Sequence, residues 1–243
     1  MSKTWKIVLA VAVVLVVAVG GGIWWFLRDD APAKVSLDTA AESVTTTTGA
    51  SGQASTVTDV NGTWVIDTSQ GTFDFESATG TFAGFRIQEE LSSIGSSTAV
   101  GRTGDVSGTI QIQGNALTAA TFEVNLKTIT TNQTQRNSRV QSALETSDFP
   151  TATFTLTQPV ALGADPVAGE TVSVTAVGNL TLHGVTKQVE VPLEAKLVGD
   201  TAVVVGSFDI TFSDYGVEVP KAPIVLSVAD NGEVEMQLLF TKQ

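Results

Sequence analysis

The residue in this sequence most suited to acid–base chemistry is its single histidine, His183. A Ser-His-Asp triad would require it, because histidine is the base that activates the nucleophilic serine. His183 is followed by Gly184 at a predicted hairpin turn, and the chain contains no Gly-x-Ser-x-Gly sequence of the kind that presents such a serine. The pattern favours a histidine that lies in a turn over a catalytic histidine.

Two acidic sequences could take part in proton transfer or metal binding. Glu89 and Glu90 are adjacent, and adjacent residues of a strand point to opposite faces, so solvated charges are the favoured interpretation. Asp230-Asn231-Gly232 resembles the start of a calcium loop, but the rest of the ligand pattern is missing and a hairpin turn explains it better. With one histidine and no cysteine, the usual zinc ligands are missing as well. The sequence therefore predicts no catalytic residues, no metal and no cofactor, and an enzyme acting on a lipid is a disfavoured alternative.

Arg136 and Arg139 are the cationic residues that could bind an anionic head group. They lie three positions apart in a predicted helix over residues 133–146, so they share one face of it. Thr131 or Asn132 can cap this helix. Solvation of both guanidinium groups on the helix surface is the alternative interpretation.

The overall composition describes an acidic chain with enough apolar residues for a large core. Its formal net charge of -12 and pI near 4.4 argue against binding to nucleic acid, which needs clustered Lys and Arg. Hydrophobic residues make up 42% of the chain. Cysteine is absent, so no disulfide framework can hold the chain together and its stability has to come from its core.

Residues 7–27 form an apolar run of about 21 residues, which is long enough to cross about 30 Å of hydrocarbon as a helix. Lys3 and Lys6 precede this run, which predicts a cytoplasmic N-terminus and an extracytoplasmic C-terminal part. We expect residues 1–28 to be a single-pass anchor in the cell membrane. A cleaved signal peptide ending near residues 18–20 is the alternative, and under either interpretation the rest of the chain is exported.

The remainder of the chain divides into two parts. Residues 29–60 are rich in Ala, Ser and Thr without sustained periodicity, which predicts a flexible tether. From residue 61 to residue 243, apolar and polar residues alternate, for example over residues 171–182 and 189–197. Alternation with period two predicts antiparallel strands with one dry face. About eight long strands linked by hairpins favour closure into a barrel, since closure removes the exposed edges of the sheet. The fold class predicted is an all-β extended antiparallel barrel with one short helix, preceded by a transmembrane helix.

The inward-facing side chains of such a barrel either fill its lumen or line a space for one apolar ligand. The candidate lumen residues are Phe73, Phe75, Phe82, Phe85, Phe122, Val124, Leu126, Phe154, Leu156, Leu180, Leu182, Phe208, Ile210, Phe212, Met236 and Leu238. Ordinary core packing is the alternative for each of them, because a sequence does not distinguish a filled lumen from a hollow one.

Several segments resemble the YceI-like family. Residues 178–187 are similar to a Gly-x-Leu-Thr-Leu-His-Gly-Val-Thr-Lys hairpin of that family. Trp64-Val65-Ile66-Asp67, residues 139–154 and residues 208–216 resemble its first strand, its helix-to-strand passage and its late strand and turn. The resemblance covers about residues 62–242 in the family's order. It implies a lipocalin-like barrel, a mostly periplasmic or secreted location, no known enzymatic activity, and an elongated pocket for a long polyisoprenoid or a related amphiphile.

Two segments depart from the family pattern. Thr68-Ser69-Gln70 and residues 82–85 stand where the family often has His-Ser and a further His, so its head-group contacts are not carried over to this chain.

These observations lead to two hypotheses from different classes. In the first, the barrel binds, sequesters or carries a long isoprenoid-like lipid at the outer face of the membrane. In the second, it is an extracytoplasmic structural or interaction module with a filled barrel and no lipid ligand. The partners predicted for the chain are therefore a long-chain lipid and the membrane, and no particular protein partner is predicted.

Overall fold

The computed structural model describes residues 31–48, 57, 59–91, 95–163, 170–218 and 225–243. In these residues the chain is all-β, with two short helices, α1 (Leu37–Thr48) and α2 (Thr134–Ala143). The strands, in chain order, are β1 (Gly62–Ile66), β2 (Phe82–Leu91), β3 (Gly95–Thr103), β4 (Val106–Gln113), β5 (Ala116–Asn125), β6 (Thr130–Thr131), β7 (Thr151–Leu156), β8 (Val160–Ala161), β9 (Thr171–Leu182), β10 (Val185–Val198), β11 (Thr201–Thr211), β12 (Val225–Val228) and β13 (Asn231–Lys242).

Eight antiparallel strands close into a barrel in the order β1-β4-β5-β7-β9-β10-β11-β13, and β13 pairs with β1 to complete the ring. β13 changes its partner along its length, because its residues 240–242 pair with β1 whereas its residues 233–237 pair with β2. β3, β6 and β12 extend the sheet from β2. This arrangement confirms the antiparallel barrel predicted from the sequence.

The two ends of the barrel are defined by different hairpin turns. We call the end with the β4–β5 and β10–β11 turns the mouth end, and the end with the β9–β10 turn the closed end. The β9–β10 turn consists of His183 (φ 51°) and Gly184 (φ 73°), a left-handed pair that twists the hairpin in the direction its strands require. An added Cβ on Gly184 would lie 2.7 Å from the Phe149 ring, so only glycine fits there.

The sequence predicts one helix, and this expectation is wrong, because α1 lies within the segment predicted to be a flexible tether. Its apolar side consists of Leu37, Ala40, Ala41 and Val44, all buried and spaced as one helical face. This face packs on the outer surface of the barrel, against β10 and β11, in a cluster with Val203, Val205 and Leu239. Leu37, two alanines and Val44 form a narrow apolar stripe in this Thr-rich segment, and its burial against the barrel wall stabilises the helix.

The second helix lies where the sequence places it. α2 occupies residues 134–143 of the predicted 133–146, and its N-cap is Gln133. Val140 and Leu144 pack against the hydrophobic core at the closed end of the barrel.

Neither of the described helices combines the length and the hydropathy needed to cross a bilayer. The predicted membrane span over residues 7–27 lies outside the described residues, and so it stays a prediction.

A carboxylate holds the turn that follows β1. Asp67 Oδ1 accepts hydrogen bonds from the backbone N–H of Ser69 at 2.9 Å and from its hydroxyl at 2.5 Å. The bond from the Ser69 hydroxyl is the main reason that the pKa of Asp67 lies below its ordinary value, against a smaller raising effect of partial burial.

Asp67 should therefore contribute to the acid sensitivity of the fold. Because its folded-state pKa is the lowered one, its stabilisation is present above the ordinary pKa of 3.8 and is lost as the pH falls through the folded-state value. We expect Asp67→Asn to flatten the acid limb of unfolding free energy against pH below roughly pH 4, measured by urea denaturation. Ser69→Ala removes the hydroxyl that donates to Asp67, so it should also make the unfolding free energy less dependent on pH in this range. If the pH dependence is unchanged in both variants, Asp67 is not the source of the acid sensitivity.

Candidate functional site

The lumen of the barrel is hollow at the mouth end. We call this space the lumen cavity. Its volume is about 130 Å³. By the same measure, a cavity that holds a single water molecule needs only about 10–15 Å³. All eight barrel strands contribute to its wall. Its lining is Val60, Trp64, Ile110, Ile112, Leu117, Ala120, Phe122, Phe154, Leu156, Leu162, Glu170, Val172, Val174, Ala176, Leu193, Ala195, Lys196, Leu197, Ala202, Val204, Met236, Leu238 and Phe240.

The wall of the lumen cavity is apolar except for two charged residues. Glu170 immediately precedes β9, and Lys196 is two residues from the end of β10, so both lie near the mouth end. The indole N–H of Trp64 donates to the carbonyl of Val60 at 2.9 Å, so this buried polar group is satisfied within the wall. Such a wall can bury an apolar chain along its length. Polar groups of a ligand would find partners only near the mouth end.

The lumen is filled at the closed end by a cluster that we call the plug. Its buried members are Leu126, Ile129, Leu180, Leu182, Ile210, Phe212, Tyr215 and Val217. Burial, with a smaller effect from Asp214, raises the pKa of the Tyr215 phenol. Val140 of helix α2 and Leu144, which follows the helix, pack around this cluster. The barrel therefore has one open half and one packed half.

The candidate lumen residues divide among three places. Phe122, Phe154, Leu156, Met236 and Leu238 line the lumen cavity. Leu126, Leu180, Leu182, Ile210 and Phe212 belong to the plug, and Phe85, Val124 and Phe208 pack against it. The third group, Phe73, Phe75 and Phe82, lies on neither the wall of the cavity nor the plug.

These three phenylalanines lie near a buried arginine on the outer side of the barrel. Successive residues of β2 point to opposite faces, and Ala83 packs inward against the cluster that contains Trp64 and Leu238, so Phe82 faces outward. The Arg102 guanidinium lies 4.6 Å from the centre of the Phe82 ring and 6.0 Å from that of Phe75. Phe73 contacts Phe82 with ring centres 6.1 Å apart. Aromatic side chains that cluster in the sequence are here packed outside the lumen because a loop covers this part of the wall.

Arg102 is the main residue of this region that the sequence did not indicate. It is fully buried, and its Nε donates to Glu235 Oε1 at 2.6 Å. Its two other nitrogens donate to the carbonyls of Phe75 at 3.2 Å and Ala33 at 2.7 Å. The pair joins β3 to β13 and to the segment before α1, and no local pattern in the sequence connects residues so far apart.

The predicted head-group arginines lie away from the lumen cavity. Arg136 donates to Glu89 at 2.6 Å, so its charge is already paired, and Arg139 is exposed to solvent. Both belong to α2, which packs at the closed end. The plug therefore lies between these two arginines and the hollow half, and their role in binding an anionic head group stays a prediction.

His183 has a structural environment at the closed end. Its Nδ1 lies 3.1 Å from the carbonyl oxygen of Tyr215, its Nε2 lies 3.3 Å from a carboxylate oxygen of Glu145, and its ring meets Phe149 edge-on. In the part of the chain that the structure describes, no three His, Asp or Glu side chains gather as metal ligands.

Comparisons with known proteins agree with this architecture. A family model described as a YceI-like domain matches residues 35–240. A protein of Shewanella denitrificans designated UPF0312 is 30% identical over 154 residues, which cover 58% of this chain and 76% of that protein. Protein YceI of Salmonella arizonae is 37% identical over 122 residues, 49% of this chain and 56% of its own.

Two solved structures share the fold. One is a polyisoprenoid binding domain from Saccharophagus degradans implicated in plant cell wall breakdown, with a TM-score of 0.57, 22% identity, and coverage of 74% of this chain and 98% of that one. The other is BcnA of Burkholderia cenocepacia, with a TM-score of 0.52, 18% identity, and coverage of 72% and 98%.

Proposed function

This chain belongs to the YceI-like family, and from that premise we propose that its barrel binds the apolar chain of an isoprenoid-like lipid and sequesters or carries it at the outer face of the cell membrane. The role is binding and not catalysis. The protein would hold the lipid by burial of its chain, without breaking or forming a covalent bond.

The lumen cavity is the observation that supports this proposal. Its walls come from all eight barrel strands and are apolar up to the charged residues near the mouth end. Burial contributes about 25 cal/mol per Å² of apolar surface, so an enclosed hydrocarbon chain is held without directional contacts. The fold shared with a polyisoprenoid binding domain supports the same ligand class.

The location at the membrane rests on the sequence. The apolar run over residues 7–27, preceded by Lys3 and Lys6, would keep the barrel at the outer surface of the bilayer. A lipid carrier benefits from this position because the ligand is exchanged with the membrane.

Filling the lumen cavity should remove the bound lipid. Ala176 is buried in the wall of the cavity, and its neighbour Thr175 is exposed on the opposite face of β9. In full-length chain purified from membranes and extracted with organic solvent, we expect Ala176→Phe to lower the lipid recovered per protein by about tenfold or more, since the ring takes the place of the ligand. Thr175→Phe, the matched control, should retain the wild-type amount.

Folding of both variants is checked by circular dichroism, and Val204→Phe on β11, which also lines the cavity, provides a second filling variant. Equal lipid recovery from the filled and control variants would contradict binding in the lumen. Wild-type chain that carries no lipid and takes up no added isoprenoid would instead favour the interaction module.

A further inference from the structure

We propose that the lumen cavity is blind and sets a length limit, so that it encloses an apolar chain of about a dozen carbons and leaves any further length outside. This inference rests on the proposed function and adds to it the size of the ligand segment that the barrel recognises. The limit is imposed by side chains at the level where the hollow half meets the plug.

The lining stops at the same level on strand after strand. Along β5 it includes Phe122 but not Val124, and along β13 it includes Met236 but not Val234. The residues that follow towards the closed end pack against the plug instead. The cavity therefore has an inner end, which we call the floor.

Three glycines face the lumen at the floor, and each is covered by a large side chain of a neighbouring strand. An added Cβ on Gly108 would lie 2.5 Å from the Phe122 ring, and one on Gly178 would lie 2.2 Å from the Phe154 ring. An added Cβ on Gly206 would lie 2.7 Å from Leu193 Cδ2.

The two rings lie nearly parallel across the floor. Phe122 and Phe154 have ring centres 6.2 Å apart and planes inclined by 18°. Phe122 also contacts Phe240, with ring centres 6.0 Å apart. These side chains, seated on glycine, close the cavity without crowding the barrel wall.

The depth of the cavity follows from strand geometry. On β9 the lining begins at Val172 and ends at Ala176, with Gly178 at the floor. Six residue steps of about 3.3 Å, in strands tilted by about 40°, give a depth of about 15 Å. An extended hydrocarbon chain with C–C bonds of about 1.5 Å advances about 1.25 Å per bond, so about a dozen chain carbons fit. This matches the main chain of a farnesyl group.

A series of prenyl diphosphates with a common head group tests the limit. The full-length chain in lipid nanodiscs is titrated with geranyl, farnesyl and geranylgeranyl diphosphate by calorimetry, with empty nanodiscs as the blank. We expect binding to strengthen about a hundredfold from geranyl to farnesyl, because the added isoprene unit buries two more pairs of main-chain carbons and each pair contributes about a factor of ten. From farnesyl to geranylgeranyl the dissociation constant should change by less than about threefold, because the added unit stays outside.

Removing a floor ring should move the limit by about one isoprene unit. Phe154→Ala vacates the space of a six-membered ring, so the variant should bind geranylgeranyl diphosphate about tenfold more tightly than farnesyl diphosphate. Leu156→Ala is the matched control on the same strand, because Leu156 lines the cavity but lies nearer the mouth. It should weaken all three ligands by similar factors and leave their ratios unchanged.

The outcomes separate the length limit from the proposed function. Wild-type chain that binds geranylgeranyl diphosphate about tenfold more tightly than farnesyl diphosphate would overturn the limit while lipid binding stands. Binding of none of the three probes would contradict the proposed function itself, and the limit would fall with it. The wild-type series does not depend on the folding of any variant.

Discussion

Replacing Glu235 with leucine is expected to lower the free energy of unfolding by about 3–5 kcal/mol, because it leaves a buried guanidinium without its counter-ion. Arg102 is fully buried, and Glu235 is its only acidic partner among the described residues. The second carboxylate oxygen of Glu235 lies 3.7 Å from Arg86, so the substitution removes the partner of two cations. Urea denaturation monitored by circular dichroism measures the loss.

A double variant distinguishes the buried charge from lost packing. Arg102→Met combined with Glu235→Leu removes both charges and keeps apolar volume, so it should recover most of the stability lost by Glu235→Leu alone. An exposed ion pair gives the comparison: Lys187 and Asp214 are 2.8 Å apart on the surface, and Asp214→Ala should cost less than about 1 kcal/mol. A Glu235→Leu variant as stable as the wild type would show that the pair does not hold this wall together.

The barrel itself was predictable because its signal is local. In β9 the inward residues Ala176, Leu180 and Leu182 are buried, while Thr175 and Asn179 are exposed, as the alternation predicts. The His183-Gly184 pair likewise identifies its turn, since both residues adopt positive φ. Period-two patterns and turn residues carry their information within a few positions of the chain.

The division of the lumen into a hollow half and a packed half was not predictable. Phe122 and Leu180 follow the same alternation, yet Phe122 lines the cavity and Leu180 belongs to the plug. What separates them is their level along the barrel axis, which depends on the registers of all the strands together. The position of the floor depends in addition on Gly108 and Gly178, whose contacts are with neighbouring strands.

Faces were misassigned where the barrel wall is covered from outside. Phe82 was expected in the lumen because it is large and apolar, but on the outer side it stacks on Arg102. The Arg102–Glu235 bond joins residues separated by 133 positions, which no local pattern reports. Outer-face burial of this kind arises because residues 31–48 and the loop after β1 pack against the strands.

The same contacts make residues 31–48 part of the domain. The carbonyl of Ala33 accepts from Arg102 at 2.7 Å, and the carbonyl of Pro32 accepts from Arg86 at 2.9 Å. Lys34 forms an ion pair with Glu233. The segment is therefore attached at the start by hydrogen bonds and then by the apolar face of α1, and the family model, which begins at residue 35, includes that helix.

A charge placed on the buried face of α1 should detach the helix. Val44 is buried against the outer wall of the barrel, whereas Thr39 of the same helix is exposed. Val44→Asp would bury an unpaired carboxylate, so undocking is the cheaper response, and the burial of Val44 and Leu37 is lost with it. At about 1.5–3 kcal/mol for each of these two apolar side chains, we expect a loss of about 3–6 kcal/mol in the free energy of unfolding.

Thr39→Asp adds the same charge to the exposed face and should change stability by less than about 0.5 kcal/mol. Limited proteolysis gives a second readout, because an undocked helix exposes its backbone and cleavage within residues 31–48 should become faster in Val44→Asp alone. If both variants unfold and are cleaved like the wild type, α1 contributes nothing to the barrel. If only Val44→Asp is affected, the apolar wall formed by Val203, Val205 and Leu239 needs this helix to cover it, and the barrel is complete only with the segment that leads to the predicted membrane anchor.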